Sequence, residues 1–287
     1  MLYVVIRLIP LCTYHTELKM ERSQQLFLSL VLFFLLFSCK TKEERIGAAM
    51  EFGKHAYYQG TPTCMKAFAH ILEIDPTNTE AYRELSIPYL KRGIPHEWEK
   101  WMKGAIQYDA IKWQSYRGYN YLWFYRDYQR AIADFNASDT LTPYLDYPQG
   151  HSVDFWWGIA YLRLKDYENS IGYWNKHITK ETEDTGEDWL ELEAFLYRGI
   201  AYYEAGENEK AVADFDKAIH YFKHTADSKY YEALILKEQG EIEAALALTK
   251  EAVLDFNTVF YNNRAYVETL HQIYREDLEE LKDSLTK

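Results

Sequence analysis

From Arg45 onward, apolar residues recur three and four positions apart in short blocks separated by Gly, Pro, Asn or acidic turns, the period of helices that bury one face. The blocks come in pairs, and the pairs repeat. The stretch YRGYNYLWFYRDYQRAIADFNASD from Tyr116 is nearly restated by YRGIAYYEAGENEKAVADFDKAI from Tyr197. With the small residue of each first block in register, Ser86, Gly118, Gly158, Gly199 and Ala233 recur at spacings of 32, 40, 41 and 34. The unit is about 34 residues. A small residue there lets a second helix cross closely, and the large apolar residues form a stripe for the next unit to cover. The pattern predicts an all-α chain of about six helical hairpins over residues 45–256. An early unit runs from Arg45 to Pro76, with Phe68 and Ile71 in its core and Asp75-Pro76 as its stop. Residues 257–287 read as a capping helix, from Phe260 to about Leu285, whose charged end REDLEELKDSLTK closes the array. The stretches from Asn136 to Ser152 and from Lys180 to Glu191, rich in turn formers or acid, read as surface loops.

Around each small residue one pattern holds. Gly199 is followed by Tyr202, Ala211, Phe215 and Ala218; Gly158 by Tyr161, Ser170 and Trp174; Ala233 by Leu236, Ala245 and Ala252. This resembles the tetratricopeptide repeat, a helix-turn-helix unit. Trp98 and Met102 depart from the usual Ala and Phe, and one extra residue precedes Ala131. The resemblance implies a right-handed α-solenoid whose first helices line a concave groove for a protein partner. Its groove positions fall on Arg83, Lys91, Tyr119, Trp123, Phe155, Arg163, Tyr203, Tyr230 and Lys237. The alternative for Tyr119, Phe155 and Tyr230 is packing between helices. The variant of the family that clamps a C-terminal carboxylate uses Asn and basic residues; the corresponding residues here are Ile87, Tyr119, Ile159, Ile200 and Leu234, so that clamp is absent.

Ahead of the repeats, Leu26 to Phe37 is apolar except for Ser29, about a dozen residues where a membrane-spanning helix needs roughly 20. Arg22 in MERSQQ precedes this run and Leu36-Phe37-Ser38-Cys39 follows it. This order of parts is a secretory signal. Its end resembles the lipobox of bacterial lipoproteins, which implies acylation of Cys39. Residues 1–38 are then a signal peptide with translation starting at Met20, and 39–44 a tether. The other reading is a first core helix that carries a Cys. Lys40 after the Cys, where Asp would retain an inner-membrane lipoprotein, implies the outer membrane. Lys40-Thr41-Lys42-Glu43-Glu44 resembles the surface-export signals of Bacteroidetes.

A formal net charge of −12 without a basic cluster argues against nucleic acid as a partner. Beyond Cys39 only Cys64 remains, so the expected mature chain forms no internal disulfide. There is no G-x-S-x-G, phosphate-cradling Gly-rich loop, H-E-x-x-H or C-x-x-C, and no cofactor or enzymatic role is expected. Asp216, His220 and His224, spaced by four, could share one helix face as metal ligands, but no fourth ligand stands nearby and an exposed polar face accounts for them without a metal. Two functions stand beside each other. One is a lipid-anchored scaffold of the bacterial envelope that holds a peptide or helix of another envelope protein. The other is a glycan- or small-ligand-binding lipoprotein, partner of a nutrient importer, using Trp113, Trp123, Trp156, Trp157 and Tyr119 as stacking platforms.

Overall fold

Short polar side chains start the helices. Thr61, Asn78, Asp109, Asp127, Ser152 and Asp166 each accept a hydrogen bond from the backbone N–H three residues on. A computed structural model describes residues 40–55, 58–143, 147–258 and 266–286. Cys39 and the expected signal segment lie outside these residues.

Six hairpins follow one another: α1 (Lys42–His55) with α2 (Pro62–Ile74), α3 (Thr79–Lys91) with α4 (Pro95–Tyr108), and α5 (Ala110–Phe124) with α6 (Tyr128–Leu141). Then come α7 (Val153–Arg163) with α8 (Tyr167–Thr185), α9 (Leu192–Glu204) with α10 (Asn208–Tyr221), and α11 (Ala226–Glu238) with α12 (Ile242–Thr258). A last helix, α13 (Arg275–Ser284), packs on α12 and caps the array. The fold is the expected right-handed all-α solenoid. Among the described residues no helix is long and apolar enough to cross a membrane.

Each hairpin turns at one residue with left-handed backbone. Gly60, Gly93, Gly206 and Gly240 do so in four of them; Arg126 (φ 55°) and Lys165 (φ 61°) hold the same turn in the third and fourth. A non-glycine residue there costs roughly 1–2 kcal/mol.

In four of the hairpins an aromatic of the second helix sits on a glycine of the first. A Cβ added at Gly53 would lie 2.7 Å from Phe68, at Gly118 2.8 Å from Phe135, at Gly158 2.6 Å from Trp174 and at Gly199 2.5 Å from Phe215. In the second hairpin Ser86 Oγ lies 3.3 Å from the Sδ of Met102, the residue standing where Phe is usual. The doubled YRG…ADF sequence adds a buried ion pair. Arg117 grips Asp134 with two bonds of 2.7 Å, and Arg198 does the same to Asp214.

Four expectations need correction. The stretch from Phe260 to Leu285 is not one helix: residues 266–274 are irregular, with Tyr266 (φ 74°) and His271 (φ 53°) left-handed, and only Arg275–Ser284 is helical. Asn136–Leu141 continues α6, because Ser138 turns into the core as a fully buried residue. Lys180–Thr185 continues α8, supported by the Lys180–Asp184 pair, until Gly186 ends it at φ 96°. The expected tether is helical from Lys42 onward.

The glycine contacts give a paired test. Gly199→Ala forces a Cβ into the Phe215 ring, and overpacking of roughly 1–3 kcal/mol outweighs the gain in helix propensity of about 1 kcal/mol. The urea midpoint should fall by the equivalent of about 1–2 kcal/mol, whereas Gly172→Ala, with nothing within 4 Å, should gain about 0.5–1 kcal/mol.

Candidate peptide-binding groove

The first helices α5, α7, α9 and α11 pack against one another, which places them on the inner side of the curve. Along that face runs the chain's own segment 266–274, YVETLHQIY. It begins at the second hairpin, where Lys91 Nζ lies 4.7 Å above the Tyr266 ring. At the end of α5, Arg126 Nη2 donates to the Glu268 carbonyl at 2.5 Å while its guanidinium lies 5.4 Å from the Trp123 ring. Tyr197 of α9 donates its hydroxyl to the Leu270 carbonyl at 3.1 Å. The Ile273 N–H bonds the Asp227 carboxylate at the start of α11. Leu270 and Ile273 are 4% and 3% exposed, so they seat the segment, while Tyr266, Glu268 and Tyr274 face solvent. Thr269 and Gln272 bond each other and tighten the bend.

Between this segment and the ends of α5 and α7 lies a cleft of about 440 Å³ lined by Arg126, Tyr128, Arg163 and residues 268–272 and 274. Arg163 donates to the Tyr128 hydroxyl at 3.3 Å. Burial and the nearby Arg163 charge push His271 down to about 4, so its imidazole is neutral at pH 7. His271 Nε2 and Arg126 Nη1 are buried without hydrogen-bond partners. Each such group costs roughly 1–3 kcal/mol.

The nine expected groove positions divide. Lys91 and Arg163 face the C-terminal segment, Lys237 donates to Ser284 Oγ at 2.8 Å, and Tyr230 packs against the cluster that holds Leu281 and Leu285. Arg83 pairs with Glu84 at 2.6 Å, and Tyr203 donates to Glu238 at 2.9 Å. Tyr119 and Trp123 are buried and their rings pack against Trp156. Phe155 lies in the core, 4.9 Å from both Trp156 and Trp174, and takes the packing role rather than a groove position. The expected stacking platforms are likewise interior: Trp113, Trp123, Trp156, Trp157 and Tyr119 are all at most 8% exposed, and no open ring face among them can receive a sugar.

The three spaced residues do not share a helix face. Asp216 and His220 are on α10, which ends at Tyr221, while His224 lies beyond it with Nδ1 2.9 Å from Asp255. Among the described residues no group of three His, Cys, Asp or Glu side chains could hold a metal. A separate buried network joins the fourth and fifth hairpins. Ser152 Oγ lies 2.9 Å from His177 Nδ1, and Glu191 stands 3.0 Å from His177 Nε2 and 3.1 Å from His151. Burial pushes Glu191 up, but the two imidazoles outweigh it and hold the carboxyl well below the usual range. Ser152 is also the cap of α7, so the network serves to start a helix and fix the preceding loop.

Sequence reasoning missed Arg126, Tyr197, Asp227 and the whole segment 266–274. One signal was present: in the register of the turns, Arg126 stands where Gly93, Gly206 and Gly240 stand, so a bulky residue occupies a glycine position. The contact it serves lies 142 residues away.

Residues 193–225 match the tetratricopeptide repeat family. Solved structures share the fold. PilF of Pseudomonas aeruginosa is 15% identical with a TM-score of 0.59, covering 85% of this chain and 100% of that one. PilW, a type IV pilus biogenesis factor, is 16% identical with a TM-score of 0.58, covering 77% and 96%. A tetratricopeptide repeat protein from Parabacteroides merdae is 16% identical with a TM-score of 0.52, covering 92% of each. The cargo-transport protein YPP1 of Kluyveromyces lactis is 32% identical over 111 residues, which are 38% of this chain and only 14% of that protein.

Asp227 makes the anchoring of the segment measurable. Burial first, and the nearby Glu193 charge, raise its carboxyl from 3.8 to about 7 against the pull of the Ile273 N–H. The unfolded chain loses this proton near pH 4 and the folded one near pH 7, so the group's contribution to stability falls as pH rises through that window. Relative to pH 4, Asp227→Asn should gain on the wild type up to pH 7, by at most ~1.4 kcal/mol per pH unit, and then level off. Urea midpoints of both proteins across pH 4–8 check this, and a difference that stays flat contradicts it.

Proposed function

We propose that the protein is a non-catalytic scaffold that holds a segment of another envelope protein along its concave face and is itself anchored by lipid on Cys39. The observation that carries the reading is the inner face of α5, α7, α9 and α11, which offers both side-chain seats and backbone hydrogen bonds to an extended segment and does so for residues 266–274. Helical-hairpin arrays use such faces for protein partners. The protein's charge of −12 keeps phosphate backbones away, while Lys91, Arg126 and Arg163 make the groove locally cationic.

The anchor rests on the order of parts at the N-terminus: Arg22, the apolar run from Leu26, then Leu36-Phe37-Ser38-Cys39. Two or more acyl chains hold a protein firmly where one does not. With Lys40 after the Cys, the destination is the outer membrane, facing the periplasm or the cell surface.

Gentle crosslinking in cells, purification and mass spectrometry should recover a defined envelope protein, and repeated recovery of none would contradict the scaffold. Cys39→Ala should move the protein from the membrane to the soluble fraction; a variant still held in the membrane after signal cleavage would contradict the lipid anchor.

A further inference from the structure

Residues 266–274 are seated on the groove through a small number of contacts. Two side chains, Leu270 and Ile273, enter the interior, and three backbone groups are held by Arg126, Tyr197 and Asp227. The segment adopts no helix of its own, and it carries left-handed backbone at Tyr266 and His271. It also leaves His271 Nε2 and Arg126 Nη1 buried and unsatisfied. Arg126 itself holds a turn that glycine would hold without strain. Local rules broken together at one site mark it as functional rather than merely structural.

Three cations along the first half of the segment meet neutral acceptors: Lys91 donates to Gln59 Oε1, Arg126 to the Glu268 carbonyl and Arg163 to the Tyr128 hydroxyl. The resident segment has one carboxylate ahead of Leu270, that of Glu268, which lies near Arg126 and bonds the Tyr274 hydroxyl; a segment with further carboxylates there would also form charge-assisted bonds to Lys91 and Arg163.

We infer that the concave face is a site for an extended partner segment bearing two aliphatic residues three positions apart, preceded by acidic residues, and that residues 266–274 are its resident competitor. This rests on the scaffold reading above and names the chemistry of the partner. Leu270 and Ile273 mark the two aliphatic seats, and the Tyr197 hydroxyl and the Asp227 carboxylate address the backbone, so they are indifferent to the sequence between the anchors. Because the resident segment is tethered, it competes at an effective concentration in the millimolar range, and a free peptide of the same sequence binds weakly until the tethered copy is weakened.

The test uses the full chain and a fluorescent peptide YVETLHQIY. By anisotropy, the variant carrying Leu270→Asp and Ile273→Asp should bind the peptide at least tenfold more tightly than the wild type does. A folded variant, judged by circular dichroism, that binds no more tightly than wild type overturns the proposal. Hydrogen exchange of the unaltered protein gives an answer that needs no variant. The amides of Leu270 and Ile273 should exchange faster than those of α9 and α11, and equal protection would make the segment a permanent part of the core and overturn competition. The two readings fail separately. A partner recovered by crosslinking while the peptide arm fails keeps the scaffold and removes this groove, and peptide binding with no recovered partner keeps the groove and removes the scaffold.

Discussion

The array depends on one contact repeated along it, an aromatic ring of the second helix set against a position where the first helix has no side chain. Phe68 on Gly53, Phe135 on Gly118, Trp174 on Gly158 and Phe215 on Gly199 bring the paired helices closer than a Cβ would allow. That approach sets the angle of these four hairpins, and the angle, repeated, turns the first helices inward. The concave face is therefore a consequence of the glycine positions. The Arg117–Asp134 and Arg198–Asp214 pairs bridge the same helices and hold their register, since a buried guanidinium or carboxylate left alone is strongly unfavourable.

The same interior absorbs the aromatics that make the composition unusual. Trp98, Trp156 and Trp174 are fully buried, and ring-on-ring contacts continue from Trp98 with Tyr121 to Phe215 with Tyr231. Tyrosine abundance thus reports a core packed with large rings, and the glycan reading loses the exposed platforms it requires.

Much of this was legible before any coordinates. The small residues Ser86, Gly118, Gly158, Gly199 and Ala233 identify the hairpins because close helix crossing has a local signature of size and spacing. Phe155 and Trp123 were misplaced as groove residues because a helix between two neighbours is apolar nearly all round, so periodicity does not say which side is concave. The loop readings at Asn136 and Lys180 failed for a related reason: polar composition signals a loop, yet Ser138 can face the core and Lys180–Asp184 can support a helical turn. Arg126 with Glu268 was invisible because the two meet only after α6 and three further helical hairpins have been laid between them, a tertiary event without a local trace.

Residues 266–274 lie across the inner face from the second hairpin to the sixth. A photo-crosslinking amino acid placed at Tyr266, which is 66% exposed, tests this placement directly in the full chain. Illumination and peptide mapping should join position 266 to the C-terminal end of α3 around Lys91. Crosslinks confined to α12 and α13, the neighbours of this segment along the chain, would contradict the account.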